Sequence, residues 1–182
     1  LKGGQLDHAE VATAVETIIR NANAQNQIID QLLDVSRIVT GKLQLSLQPV
    51  EIGSVVTAAI GTVTPAANAK SVLLQLIQDP AGSAVMGDPE RLQQVFWNLL
   101  SNAVKFTPKN GRVRVSVQSV GSQVEVAVSD TGLGIDAAFL PHVFDRFSQR
   151  DSSSTRSAPG LGLGLAIARQ VVELHGGSIQ AE

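Results

Sequence analysis

The sequence contains no cysteine among its 182 residues. This absence excludes disulfide bonds, zinc sites built on thiolates and cysteine nucleophiles. It also fits a reducing compartment without proving one. The cytoplasm is therefore the expected location.

Long apolar runs and basic clusters are missing as well. No apolar stretch approaches the roughly 20 residues of a membrane-spanning helix, and the N-terminus lacks the basic-then-apolar pattern of a signal peptide. The formal net charge is −2, and no run of Lys or Arg is interleaved with aromatic residues. We expect a soluble chain that binds no nucleic acid and does not contact a membrane directly, while a longer parent protein is free to be membrane-anchored.

Charged residues are scarce, since they make up 16% of the sequence against roughly 25% in a typical soluble domain. The hydrophobic fraction of 43% suits a globular protein. The length is enough for one compact domain with an appendage. We expect a partner to cover part of the surface.

The N-terminal part of the chain has the pattern of one long helix. Residues 7–40 contain no Pro or Gly, Asp7 is a capping residue with Glu10 three positions later, and Gly41 ends the pattern. Steps of four and three residues trace a mostly apolar seam, formed by Val11, Val15, Ile18, Ala22, Gln25, Ile29, Leu32, Ser36 and Val39. Such a helix is about 50 Å long, more than a small domain can cover. We therefore expect it to pair in a bundle or a homodimer.

The remaining sequence mixes helices and strands. Leucines alternate at 43–47, and a helix is predicted around 54–69 despite Pro65. A strand is predicted at 72–77, and alternating valines on both sides of Gly121 predict a hairpin. No regular βαβ repeat is present, so the predicted fold class is α+β.

A further helix is predicted from Asp88, a capping residue followed by Pro89, to about Lys105. Its helical wheel gathers the apolar side chains on one side and places Asn98 and Asn102 on the opposite, polar side. The simplest interpretation is a solvated face, which is all that most amphipathic helices have.

The two asparagines also fit a binding role. Asparagine is a poor helix former, and a merely solvated face would more naturally carry Glu, Lys or Gln. An amide oxygen is a neutral, hard ligand suited to Mg²⁺ on a polyphosphate, and Lys105 one turn later could meet a phosphate. The helix by itself leaves both interpretations open.

A glycine-containing turn follows the second strand of the predicted hairpin. Asp130 ends that strand, and Gly132 and Gly134 turn the chain sharply, so the carboxylate is expected at the edge of a pocket. There it can accept a hydrogen bond from the exocyclic amine of adenine, a donor that guanine lacks at that position. A single Asp-x-Gly sequence is usually only a turn.

A second glycine-rich segment leads into the last predicted helix. Gly160, Gly162 and Gly164 run directly into a helix that ends at Gly176, so backbone amides at its start can hold phosphates. This signal is also weak by itself, because glycine loops are common.

Four segments, in this order, resemble the N, G1, F and G2 boxes of sensor histidine kinases: NLLSNAVKF, DTGLGI, FDRFSQRDSSSTR and GLGLGLAIARQVVELHGG. The segment VSRIVTGKLQL resembles the end of that family's dimerisation helix, so the resemblance covers nearly all of the chain. It implies a two-layer α/β sandwich of the histidine-kinase ATPase (Bergerat) type, preceded by a long dimerisation helix. Residues 1–42 would then be the second helix of the dimerisation and histidine-phosphotransfer domain, and residues 43–182 the catalytic ATP-binding domain.

The resemblance also implies site residues for ATP and Mg²⁺. Asn98 and Asn102 would bind Mg-ATP, with Asn102 the more direct metal ligand, Lys105 would lie near phosphate, and Asp130 would bind adenine. The first three are the implied catalytic residues. The residues implied to shape the pocket or flank the ATP lid are Gly132, Gly134, Phe144, Phe147, Gly160, Gly162 and Gly164. The two phenylalanines also fit a purely hydrophobic anchoring role.

Two features depart from the family pattern. Pro159 stands where the family often has another glycine, at the end of the polar stretch 151–159 that is predicted to be a mobile loop. The family's acceptor motif, a histidine followed by an acidic residue and then Arg and Pro, is absent, and His8, His142 and His175 are each interpreted as surface or capping residues. We therefore expect a chain that begins after the family's first dimerisation helix and ends before its final strand.

The implied function is the ATP-binding core of a sensor histidine kinase, which transfers the γ-phosphate of ATP to a histidine outside this chain in two-component signalling. Its implied partners are ATP, a second copy through the N-terminal helix, and a response regulator or receiver domain. Two alternatives remain: a nucleotide-binding or helix-pairing scaffold without transfer, and a GHKL-type ATPase related to gyrase and heat-shock chaperones. The latter type has a water-activating Glu where Asn98 stands, and an amide cannot act as that base.

Overall fold

The computed structural model describes residues 7–79, 84–149 and 161–182. The chain divides into two units, Leu1–Lys42 and Leu43–Glu182. The polar stretch 151–159, predicted to be a loop, lies outside the described residues.

The first unit is built on one long helix, α1, which spans His8–Val39. At its start the backbone N–H of Val11 donates to the carbonyl of Asp7 at 2.9 Å. After its last turn Gly41 adopts a φ of 64°, a conformation that glycine reaches without a Cβ clash and that commonly ends helices. The predicted helix and its glycine stop are confirmed.

The apolar seam of α1 is exposed. Between 42% and 66% of the surface of each of these residues is accessible: Val11, Val15, Ile18, Ile29, Leu32 and Val39. Within residues 7–42, the described part of this unit, no second helix or strand is present that could bury the seam.

The described residues of the second unit form three α-helices and five strands. In chain order they are β1 Gln48–Glu51, α2 Ile52–Ala69, β2 Leu73–Gln78, β3 Ala84–Gly87, α3 Pro89–Phe106, β4 Arg112–Val120, β5 Gln123–Asp130, a 3-10 helix Leu140–His142, and α4 Gly164–Leu174.

The strands form two sheets. β1 and β3 pair in antiparallel fashion. The larger sheet has the order β2-β4-β5. β2 and β4 are parallel, with Leu74 opposite Val113, and β4 and β5 form the predicted antiparallel hairpin, with Val115 opposite Val128. Parallel strands need a crossover connection, and α3 lies within the one between β2 and β4.

The core lies on one face of the larger sheet. In β4, Val113, Val115 and Val117 are buried, whereas Arg112 and Arg114 on the opposite face are exposed. Helices α2 and α3 pack against this sheet and against each other, and α4 packs on α3. One layer of helices on one sheet is the predicted two-layer α/β sandwich, which is confirmed.

Helix α2 is the single helix in the described part of the chain that is long and apolar enough, by length and composition, to cross a membrane. Its Val56, Ala59 and Val63 are buried in the core of this unit, so its apolar character is explained by packing. The helix forms despite Pro65, as predicted. Glu51 caps its start by accepting the N–H groups of Gly53 and Ser54.

The alternation of leucines at 43–47 does not produce a strand. These residues precede β1, which is only four residues long and pairs with β3. The short strands β1 and β3 therefore had no clear counterpart in the sequence pattern.

Candidate functional site

Helix α3 carries the predicted binding residues, and Asp88 fixes its start. The Asp88 carboxylate accepts the backbone N–H of Ser46 at 2.9 Å and those of Glu90 and Arg91 at 3.1 Å. Burial by itself would raise the pKa of Asp88, but these hydrogen bonds and the nearby Arg91 charge hold it below its usual value. Pro89 at the first helical position loses no hydrogen bond there. The predicted cap is confirmed.

His175 joins the end of α4 to the start of α3. Its Nε2 accepts the backbone N–H of Asp88 at 2.9 Å, and its Nδ1 donates to the carbonyl of Val171 at 2.8 Å. Because a backbone N–H can only donate, this pair of bonds defines a neutral imidazole with its proton on Nδ1. His175 is thus a capping residue, as predicted.

The other two histidines lie far from this junction in sequence. His142 is exposed, and its Nδ1 lies 2.9 Å from Oδ2 of Asp145, so its prediction as a surface residue is confirmed. His8 is the first residue of α1, and its side chain lies outside the described part of the structure.

Asn98 is buried beneath the first residue of α4. Only 4% of its surface is exposed. A Cβ added to Gly164 would lie 2.9 Å from Asn98 Oδ1, so a side chain there would force the amide to move. Of the two interpretations left open for Asn98, a merely solvated face does not fit, because α4 packs over that part of α3. Two predicted site residues, 66 positions apart in the sequence, are thereby brought together.

Asn102 and Lys105 continue the same polar side of α3 and are partly exposed. Asn102 follows Asn98 by four residues, which places the two amides one turn apart. The Lys105 Nζ lies 5.1 Å from the centre of the Phe106 ring. Burial lowers the pKa of Lys105, because a partly desolvated ammonium has lost some of its stabilising water. Such a cation gains more from an incoming anion than a fully hydrated one.

Asp130 is the last residue of β5 and is exposed. Its Oδ1 accepts the backbone N–H of Gly132 at 2.8 Å. A Cβ on Gly132 would lie 2.5 Å from that oxygen and 2.8 Å from the Phe106 carbonyl, so the turn requires glycine and sits against the end of α3. The structure thus brings Asp130 and Gly132 next to the end of the helix that carries Lys105. Gly134, with φ 67° and open space around its Cβ position, serves the turn itself.

Phe147 and Gly162 meet on either side of the segment that the structure does not describe. The N–H of Phe147 donates to the Gly162 carbonyl at 3.0 Å. Both residues have positive φ, 60° and 68°, a conformation that is sterically unfavourable for phenylalanine. The Phe147 residue is 62% exposed, whereas Phe144 is half-buried. Gly160 and Pro159 lie outside the described residues.

Lys70 contacts the end of α3, although the sequence patterns did not single it out. It is the C-terminal capping residue of α2. Its Nζ donates to the carbonyls of Val104 and Lys105, each at 2.8 Å. The available signal was a basic residue directly after a predicted helix, but the helix it caps through its side chain is α3, more than thirty positions away.

The donor set fits a metal ion that arrives with a polyphosphate. Among the described residues no group of three or more His, Asp or Glu could hold a metal ion. Asn102 offers a neutral amide oxygen of the kind that Mg²⁺ accepts once phosphate oxygens supply the negative charge. At the start of α4, the side chain of Leu163 makes no capping hydrogen bond, so it does not compete with an anion for the first backbone N–H groups.

The fold is that of an α/β sandwich of the ATPase type, in which α3, the turn after β5 and the start of α4 carry the predicted site residues. The chain belongs to the family described as histidine kinase-, DNA gyrase B-, and HSP90-like ATPase, which matches residues 87–182. Within it, the similar proteins described next are sensor histidine kinases, so the predicted GHKL-type ATP-binding domain of a sensor histidine kinase is confirmed.

Three similar proteins illustrate this relationship. Hybrid signal transduction histidine kinase D of Dictyostelium discoideum is 36% identical over an alignment 206 residues long. The alignment covers 96% of this chain and 13% of that protein. The solved mycobacterial sensor histidine kinase MprB is 32% identical with a TM-score of 0.62, over 74% of this chain and 83% of that one. Full-length ShkA, solved in complex with AMPPNP, is 25% identical with a TM-score of 0.77. The match covers 97% of this chain and 36% of the ShkA chain. This chain therefore spans only a small part of its curated relative.

Proposed function

We propose that this domain binds Mg-ATP and supplies its γ-phosphate to a histidine outside this chain. The observation that carries the proposal is the close contact between Gly164 and the Asn98 amide, with a Cβ position only 2.9 Å from Oδ1. It sets the start of a helix, which favours phosphate, against an amide, which suits a phosphate-bound metal ion. The ShkA structure is a complex with AMPPNP, which supports a nucleotide as the ligand of this site.

Each site residue then has a separate role. Asp130 accepts a hydrogen bond from the exocyclic amine of adenine, while Gly132 allows the ligand to approach the backbone. Asn102 is the more direct metal ligand and Asn98 supports it. Lys105 neutralises phosphate charge. Mg²⁺, when bound, supplies further neutralisation of the phosphate oxygens.

Phosphoryl transfer asks a protein mainly for positioning and charge neutralisation. The residues above provide both, but an acceptor imidazole must also lie in line with the γ-phosphate. His175 cannot serve, because both its ring nitrogens are bonded to backbone groups. We propose that the acceptor histidine lies on another polypeptide segment, because His8 and His142 also lack the family's acceptor motif. This chain would then contribute the nucleotide-binding half of the reaction.

The first unit suggests how the acceptor is brought close. We propose that α1 pairs through its exposed seam with a second copy of the chain, as half of a helical bundle. The phosphate would pass from the acceptor histidine to a response regulator or receiver domain. The domain would work in the cytoplasm, even if the parent protein is anchored in a membrane.

Calorimetry with Mg-ATP tests the nucleotide site. The parent chain should bind in the micromolar to millimolar range usual for such ligands. Gly164→Ala should weaken binding, because the new Cβ displaces the Asn98 amide. Gly61→Ala is the matched control, since a Cβ at this α2 position meets nothing within 4 Å and binding should be unchanged. Absence of heat with the folded parent would contradict the proposal.

A transfer assay separates the kinase from a nucleotide-binding scaffold. A second polypeptide carrying a helix with the acceptor histidine motif is added to the chain with radiolabelled Mg-ATP. We expect acid-labile phosphate on the added helix and none on this chain. Binding without transfer would favour the scaffold, and acid-labile label on this chain would show that one of its own histidines is the acceptor.

A further inference from the structure

We propose that Lys70 is a positioning residue for the phosphate end of the nucleotide, a proposal that rests on the function proposed above. Lys70 is half-buried and follows α2 directly. Its ammonium donates to the carbonyls of Val104 and Lys105 in the last turn of α3, each at 2.8 Å. Lys70 is not among the site residues predicted from the sequence, although one of its two acceptors belongs to the predicted site residue Lys105.

The contact changes the charge at the end of α3. The last carbonyls of a helix have no partner within it and carry a partial negative charge. The proposed phosphate-binding Lys105 is in this same last turn, so a polyphosphate approaching it would meet that negative end. The Lys70 ammonium satisfies two of the carbonyls and offsets their charge with a full positive charge. It thereby makes the end of α3 compatible with an anion.

The contact also fixes the backbone from which the Lys105 side chain extends. The Lys105 carbonyl is held by Lys70, and the Thr107 N–H donates to the Ala103 carbonyl at 3.0 Å. Lys70 is itself anchored, since its N–H donates to the Ala67 carbonyl at 3.1 Å and its carbonyl accepts the Asn110 N–H at 3.2 Å. The ammonium therefore acts from a fixed point, and Lys105 starts from a fixed backbone.

Because its Nζ is engaged with two carbonyls, Lys70 acts through α3 rather than by touching the nucleotide. Its effect should therefore depend on the phosphates and be absent from a ligand that lacks them. Adenosine and ATP share the base and the sugar but differ in charge, which makes their comparison the measurement of choice.

The experiment compares dissociation constants of Mg-ATP and adenosine, both by NMR titration, for the folded parent chain and three variants. Lys70→Met removes the charge and the donors at similar length and should weaken Mg-ATP about 3- to 10-fold, the effect of about 0.6–1.4 kcal/mol, while adenosine changes less than about twofold. Lys70→Arg keeps both properties and should restore most of the ATP affinity. Lys109→Met, which removes the same charge from an exposed position beyond α3, should leave ATP affinity unchanged.

Several results would overturn the proposal. Equal losses for ATP and adenosine would show a general structural role, and equal losses for Lys70→Met and Lys109→Met would show a diffuse charge effect. An unchanged ATP affinity in Lys70→Met, with a parent that binds ATP, would refute only the role of Lys70. A folded parent that binds neither compound would refute the proposed function and this proposal with it. Should Lys70→Met fail to fold, Lys70→Gln, which keeps a donor without the charge, replaces it in the same comparison.

Discussion

Asp130 combines a structural bond and a proposed ligand contact in one carboxylate. Oδ1 accepts the Gly132 N–H at 2.8 Å, which sets the turn after β5. A carboxylate has lone pairs on both oxygens, so this bond still leaves acceptor capacity for adenine. An asparagine would preserve the turn through its amide oxygen but present a donor where adenine's amine needs an acceptor.

Asp130→Asn should therefore weaken Mg-ATP about tenfold to a hundredfold, the loss expected for a hydrogen bond of about 1.5–3 kcal/mol to a charged group. The fold should remain intact. Calorimetry and thermal unfolding measure the two effects separately. Asp136→Asn is the matched control, because Asp136 Oδ1 accepts the Ala138 N–H two residues later at 3.0 Å in the same kind of turn. Equal ATP affinities for parent and Asp130→Asn would reject the adenine assignment.

At the scale of elements, α3 is held at both ends by groups outside the helix. At its start the Asp88 carboxylate caps the helix and also accepts the Ser46 N–H. The Asp88 N–H in turn donates to His175. At its end the Lys70 ammonium donates to the last carbonyls of the helix. A helix fixed in this way presents Asn98, Asn102 and Lys105 from a defined position, as their proposed role in positioning the nucleotide requires.

Asp88→Ala should destabilise the second unit by about 1–2 kcal/mol at neutral pH, as the loss of a helix cap usually does. The folded-state pKa of Asp88 lies below its unfolded value of about 3.9, so the carboxylate's contribution is complete above about pH 4 and is lost as the pH falls through the folded-state pKa. Urea unfolding at a series of pH values should show that the free energies of unfolding of the parent and of Asp88→Ala approach each other only in acid. Asp88→Asn, which keeps one acceptor, should lose less at neutral pH. A difference that stays constant into strong acid would contradict the role of the charge.

Sequence patterns predicted the elements of this fold because their signals are local. The pair Asp88-Pro89 marks the start of α3, Gly41 marks the end of α1, and alternating valines mark the β4–β5 hairpin. The burial of Asn98 was not predictable from the helical wheel, because the wheel describes α3 alone. Asn98 is covered by Gly164, which belongs to α4. Lys70 has the same explanation, since its partners are 34 and 35 positions away. Strands β1 and β3, four residues each, are too short to show alternation.

At the scale of the whole molecule, the exposed seam of α1 calls for a partner, and a second copy is the proposed one. The chain should self-associate weakly and reversibly, because pairing buries the apolar side chains of only one helix from each copy. Sedimentation over a range of concentrations measures this. Ile18→Glu, at a seam residue that is 66% exposed, should abolish the association. Val120→Glu, at a 52% exposed position at the end of β4, should leave it intact. A parent chain that stays monomeric at every concentration would count against pairing through α1.

The bond between the Asp88 N–H and His175 has a consequence for how the domain is made in the cell. The two residues are 87 positions apart, and a ribosome that adds about 5–20 residues per second needs roughly 4–17 s to pass from one to the other. During that interval the nascent chain has α3 but lacks the helix that covers Asn98, so this polar residue and its neighbours are open to chaperones. Because the proposed site uses the start of α4 for phosphate, ATP would not stabilise the emerging domain until α4 has left the ribosome. Nucleotide binding would therefore secure a fold that is already assembled and could not guide its first steps.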